Sequence, residues 1–322
     1  MARAAANNRP AVMLALLSAL ALASVVGFMT IGARGDWSFV LAFRGAKLAG
    51  LVLVAAAVAI ATVLFQAVMQ NRILTPAVIG FDSLYVAIQT GLVFLLGAHA
   101  AASLDPQLAF ALKAGLMMLA ALGLLRGLLD GSGRDLHLLM LCGIVFGIFC
   151  RSFANLLQRL LDPNSFANLQ DTLFARFNTV ETSLLPVAGA AVLAAAGVAW
   201  RLAPALDVLA LGRERAISLG IDHRRLTTAL LALVAALVSV STALVGPVLF
   251  FGLLVSNLAC HLVGSDRHRH VLPCAVLLAV ICLVGGQTLL ERAFGLDTAL
   301  GVIVEFVGGI VFIVLMVKGG RP

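Results

Sequence analysis

KLAGLVLVAAAVAIATVLFQAV (Lys47–Val68) carries a charge at its first position and then no other to its end. A helix rising 1.5 Å per residue over this stretch crosses a hydrocarbon core of about 30 Å. Its middle, AGLVLVAAAVAIA (Ala49–Ala61), is built largely of small residues. Small side chains let helix backbones approach closely, which is how helices associate in lipid. The stretch therefore reads as a membrane-crossing helix packed inside a compact bundle.

The rest of the chain has the same character. Of 322 residues, 62% are apolar and 11% charged. An ordinary soluble domain carries about 25% charge. At about 20 residues per span, the apolar content allows roughly ten spans. Read from apolar runs bounded by charge, proline or polar clusters, they are Ala11–Ile31, Lys47–Val68, Val78–Gly97, Leu108–Leu129, Leu136–Leu157, Leu184–Leu202, Leu226–Val245, Val248–Val263, Val271–Leu290 and Thr298–Val317. The eighth is short, which suggests a broken or tilted helix. The first follows Arg3 and Arg9 and reads as a retained span rather than a cleaved signal peptide. The expected architecture is an all-α integral membrane bundle of about ten helices, one transmembrane domain over residues 1–322, with both ends in the cytoplasm.

The net charge of +7 is a topology signal here, not a nucleic-acid footprint. With the N-terminus inside, about 14 of the 22 basic residues fall on cytoplasmic loops. The five cysteines lie in apolar segments, form no C-x-x-C pair and read as core residues.

Two connections are too polar to span. Asp162–Thr182 places Phe166, Leu169, Leu173, Phe174 and Phe177 at helical spacing, an amphipathic helix on the outer face. The inner connection Ala203–Arg225 predicts a short helix from about Arg213 to Leu219, between Gly212 and Gly220. It is expected to show Arg213, Glu214 and Arg215 to water and to bury Ala216, Ile217 and Leu219. An ordered loop of this length is usually functional. A protein-docking segment and a charged connector are the two readings.

The chain has no phosphate-binding G-x-x-x-x-G-K-[ST], no H-E-x-x-H and no G-x-S-x-G, so an active site is not expected and no cofactor is implied. His268-Arg269-His270 alternates with cations and reads as a solvated inner loop. Asp82 and Glu305 are different, because charge inside a bilayer is costly and marks a path, a gate or an interhelical hydrogen bond. Arg34, Arg44, Lys47 and Arg292 would either form a basic outer rim that attracts anionic solutes or acidic partner surfaces, or serve as snorkelling anchors at helix ends. A secondary transporter using Asp82 or Glu305 as a proton relay is the competing class, and it would need no docking helix.

Four stretches carry a resemblance. FQAVMQNRILTPAVIGFDS (Phe65–Ser83) looks like Q-x-x-x-x-N-x-L-x-x-P-x-x-x-G. ALGRERAISLGI (Ala210–Ile221) follows L-G-x-x-x-A-x-x-L-G. GPVLFFGLLVSNLACHLVGSDRHRHVLP (Gly246–Pro273) is similar to G-P-I-x-F-x-G-L-x-x-P-H-x-x-R-x-x-x-G-x-D-H-R, and LGVIVEFVGGIVFIVLMVKGG (Leu300–Gly320) resembles the matching last span. The family is the iron-siderophore and vitamin B12 permeases of binding-protein-dependent ABC importers, and the resemblance covers about Arg44–Gly320.

The resemblance implies a ten-span permease of the bacterial cytoplasmic (inner) membrane that pairs with a second permease, identical or homologous. It implies cytoplasmic ABC ATPases docking on Leu211, Gly212, Arg213, Glu214, Ala216, Leu219 and Gly220. It implies an extracytoplasmic substrate-binding protein meeting Arg44, Lys47 and Arg292. Asp82 and Glu305 are the candidates for the translocation path. The chain departs from the pattern at Ser256-Asn257, where the family has P-H, at Cys260 or His261 for the following Arg, in F-R-G-A-K for R-x-P-R, and at Gln287 for an Asp. LTPAVIGFDSLYVAIQT (Leu74–Thr90) resembles the branch that imports ferric catecholate and related siderophores such as petrobactin, vibriobactin or anguibactin. Haem or vitamin B12 is the alternative cargo.

Overall fold

The computed structural model describes residues 2–32, 36–129, 136–173, 175, 177, 180–293 and 300–319. Arg34, Arg134, Phe174, Arg176 and Arg321 lie outside them. The helices are α1 (Ala2–Thr30), α2 (Trp37–Met69), α3 (Phe81–Leu96), α4 (Ala98–Ala102), α5 (Pro106–Leu129), α6 (Leu136–Leu160), α7 (Pro163–Thr172), α8 (Leu185–Leu209), α9 (Arg213–Ser218), α10 (His223–Val245), α11 (Phe251–Val263), α12 (His268–Val280), α13 (Gly286–Ala293) and α14 (Leu300–Gly319).

Seven described helical segments are long and apolar enough to cross a membrane, and three shorter ones, Phe81–Leu96, Phe251–Val263 and Leu300–Val311, are apolar. Together they coincide one for one with the ten spans read from hydropathy. The ninth is continuous from α12 to α13 through a π-helical turn at Ile281–Gly285. The eighth is short because Gly246–Leu249 is unwound ahead of α11.

The opening stretch becomes the centre of the bundle. Leu51, Val54, Ala55, Ala57, Ala59, Ala61, Leu64 and Phe65 on α2 are fully or almost fully buried. Helices α8, α10, α11 and α12 pack around them. The small residues make this possible, since the backbones of four neighbours must come near one helix.

A second close crossing joins α3 to α6. Gly80 has φ +91°, and a Cβ there would sit 2.6 Å from the Cα of Gly147. On α14, Gly308 packs against Phe250 of the unwound link, where an added Cβ would meet that side chain at 3.0 Å. Of the expected amphipathic segment, Pro163–Thr172 forms α7, and Leu173 and Phe177 lie beyond its end; the helix is capped by Asp162, whose Oδ1 accepts from the N–H groups of Asn164 and Ser165. Leu169 and Phe177 are buried, so the segment docks on α3 and α4 rather than lying loose at the interface.

Candidate functional site

Three polar sites interrupt the apolar bundle. The first begins where α2 ends. Gln70 takes a left-handed conformation (φ 51°) and stops the helix. Gln66 Nε2 then donates to the Arg72 carbonyl at 2.7 Å, and Asn71 Oδ1 accepts from Ile73 N–H at 2.9 Å. The Q-x-x-x-x-N spacing is thus a turn that returns the chain into the membrane. Asn257 Nδ2 donates to the same Arg72 carbonyl at 3.1 Å, and Ser256 Oγ donates to the Leu253 carbonyl. Of the two residues standing where the family has P-H, Asn257 therefore serves the same inner turn, and Ser256 is satisfied within α11.

That turn holds the connection after α8. Gln70 Nε2 donates to the Leu209 carbonyl at 3.3 Å. Asp207 Oδ1 accepts from the backbone N–H of His268 at 2.8 Å and lies 2.7 Å from its ring Nδ1. Arg72 and Asp266 pair at 2.7 Å, and this hydrogen bond pushes the Arg72 guanidinium up from its usual pKa. His268 is accordingly buried beneath Asp207, whereas its cationic neighbours in sequence predict a solvated side chain; Arg267 and Arg269 are exposed as expected. Sequence reasoning missed Asp207. The available signal was a lone acid in the otherwise apolar run APALDVLAL.

From this base projects α9. Gly212 (φ 103°) and Gly220 (φ 83°) make the two turns that bound it. Asp222 accepts from Arg225 N–H and starts α10. Ala216 is wholly buried against α8 and α10, and Arg213, Glu214 and Arg215 face water. Ile217 and Leu219 were expected to be buried too, but they are 51% and 62% exposed, beside Leu211 at 49%. The reason is geometric: a helix this short has one inward face, and Ala216 fills it. The outcome is an exposed apolar patch ringed by charge, the anatomy of a protein interface.

The second site is the outer rim. The structure brings Arg44, Lys47 and Arg292 together at the ends of α1, α2 and α13. Arg44 is engaged inward: its guanidinium donates to the carbonyls of Phe28, Met29, Ile31 and Gly32, closing the C-terminus of α1. Lys47 forms an ion pair with Glu291, the two side chains being 13% and 16% exposed. Gln287 also donates to Glu291. Arg292 lies over Gly32 and is exposed. An open basic rim is therefore reduced to Arg292 among the described residues, because Arg44 and Lys47 have structural partners.

The third site lies in the interior. Asp82, in the first turn of α3, is 8% exposed and its Oδ2 has no hydrogen-bond partner. It lines a cavity of about 30 Å³ with Thr62, Thr75, Ser241, Thr242 and the unwound link Gly246–Leu249. Glu305 on α14 reaches that link, its Oε1 accepting from Leu249 N–H at 3.5 Å. The two acids, remote in sequence, thus flank one unwound segment. Irregular backbone at membrane depth persists only inside protein or beside a cavity, and here both conditions hold.

With this geometry in place, the match of residues 10–318 to the FecCD transport family is decisive. The chain belongs to the FecCD transport family. Proteins similar to it include the petrobactin import system permease protein YclO of Bacillus subtilis, 42% identical over 308 residues, covering 96% of this chain and 98% of that protein. The petrobactin import system permease protein FatC of Bacillus anthracis is 32% identical over 275 residues, covering 85% and 78%. An inward-facing structure of a putative metal-chelate type ABC transporter superposes with a TM-score of 0.83 at 20% identity, over 96% of this chain and 99% of that one. The FecCD assignment makes this a multi-pass membrane protein of a transport family, and the superposition shows the shared fold.

Proposed function

We propose that the chain is the membrane permease subunit of an ABC importer that moves a ferric siderophore of the catecholate or petrobactin type inward. ATP is hydrolysed by a separate cytoplasmic ATPase, and a second permease, identical or homologous, completes the path. The observation that carries the reading is near full-length similarity to a petrobactin permease, together with α9 and its exposed Leu211, Ile217 and Leu219. A self-sufficient secondary transporter has no use for such a patch.

The ATPase would seat on Leu211, Gly212, Arg213, Glu214, Leu219 and Gly220, with Ala216 holding the segment to the bundle. The substrate-binding protein would meet Arg292 outside, over a rim that Arg44 and Lys47 hold in shape. Asp82 and Glu305 would shape the unwound link beside the path rather than touch cargo. Proteoliposomes holding the permease with its ATPase and binding protein test the whole reading. ATP-dependent uptake of ferric petrobactin is expected. Uptake driven by an ion gradient without ATP overturns the mechanism, and ATP-driven uptake of haem or vitamin B12 alone overturns the cargo.

A further inference from the structure

The interior cavity at Asp82 is not explained by transport of a large chelate. It holds a volume of about 30 Å³, and one water needs about 10–15 Å³ measured this way. That is room for one or two water-sized species. Its lining includes a carboxyl group more than nine-tenths buried, with an oxygen that no donor satisfies. Leaving such a group unmatched costs heavily, so an occupant is expected.

The chemistry of the lining selects that occupant. Asp82, Thr62, Thr75, Ser241 and Thr242 bring oxygen-bearing side chains, and no lining residue carries a side-chain nitrogen or sulfur. The Ser241 hydroxyl donates to the Val238 carbonyl, so its lone pairs stay available, and Thr75 makes no side-chain cap bond. The carboxy-terminal end of α10 and the unwound link beyond it add backbone carbonyls and the negative end of a helix dipole. All-oxygen surroundings suit a hard cation. The charges whose fields reach Asp82 are Glu305, which adds negative potential, and Arg151 on α6, which is exposed and makes no ion pair with it. Asp82 is the one carboxylate in the lining and matches a single positive charge, while Glu305 lies outside the lining and accepts from Leu249 N–H.

We infer that the Asp82 cavity is a binding site for one sodium-sized monovalent cation, which pins the start of α3 and the end of α2 to the unwound link between α10 and α11. The site does not depend on which chelate is carried. Because α14 contacts that link through Glu305 and Leu249, the cation also fixes the position of α14.

The test is thermal unfolding of the permease complex in lipid nanodiscs, in sodium chloride and in choline chloride at equal ionic strength, with retention of radiolabelled sodium as a second readout. Sodium is expected to raise the midpoint by about 2–4 °C at saturating concentration. Asp82→Asn should abolish both the shift and the retention. Thr242→Val should keep the fold and move the sodium dependence to at least about tenfold higher concentration, which serves if Asp82→Asn does not assemble. A wild-type midpoint identical in the two salts, with no sodium retained, overturns the proposal and leaves a protonated acid with water in the cavity. A sodium effect that survives both substitutions also overturns it and places the ion elsewhere.

Discussion

Arg44 and Arg292 look equivalent as residues, yet their surroundings separate them. Arg44 satisfies four carbonyls at the end of α1, so Arg44→Glu should lower stability as well as docking. Two of these carbonyls, of Phe28 and Met29, are in part-buried bonds, and leaving such groups unmatched costs about 1 kcal/mol or more each. Arg292→Glu should leave the melting temperature unchanged and weaken the binding protein's association, most at low salt. Calorimetry alongside binding at two ionic strengths distinguishes them, and an equal loss of stability in both variants would contradict the structure. Asp162 gives a pH prediction at the same scale. Its hydrogen bonds with Ser165 hold its carboxyl below the ordinary value of 3.8. A depressed carboxylate stabilises the fold above its unfolded pKa and loses that contribution as pH falls through the folded value. Protection of the Asn164 and Ser165 amides relative to their intrinsic exchange rates should therefore fall below about pH 4, and Asp162→Ala should remove this dependence.

At the scale of the element, α9 offers a sharper test than its charges do. Exposed charges such as Glu214 are a weaker target than the apolar patch beside them, which is the interface candidate. Ile217→Glu with Leu219→Glu should cut co-purification of the ATPase by at least about tenfold while the permease inserts normally, since truncating an interface anchor costs about 2 kcal/mol or more. Ala216→Leu acts differently. It overpacks a closed contact with α8 and α10, at about 1–3 kcal/mol, and displaces the whole segment. If both variants retain the ATPase and transport at normal rates, α9 is a connector. The crossing of α3 and α6 is equally specific: Gly80→Ala combines a positive φ with a contact of 2.6 Å to Gly147 backbone. It should destabilise the complex by several kcal/mol on unfolding in detergent, because no flexible side chain can yield.

Over the whole molecule, the three polar sites lie along one connected frame. Helix α2 bears the rim residues Arg44 and Lys47 near its start, Thr62 of the cavity, and Gln66 at its inner end. Helices α12 and α13 play a similar part, running from His268, which pairs with Asp207 on α8, to Arg292 at the rim. These two rigid elements link the side proposed for the ATPase to the side proposed for the binding protein.

The sequence by itself determined the membrane, the ten spans, the short eighth span, the amphipathic character of the segment after the fifth span and the boundaries of α9. Those features rest on local hydropathy and on the conformational demands of glycine, proline and capping residues, which are readable within a few positions. Only the tertiary structure decided which charges are free. Lys47 finds Glu291 across 244 residues, and Asp207 finds His268 across 61. Whether Asp82 is paired or alone depends on helices far from it in the chain. Hydropathy records how much charge enters the bilayer, but the cost of that charge is set by partners that folding brings from elsewhere.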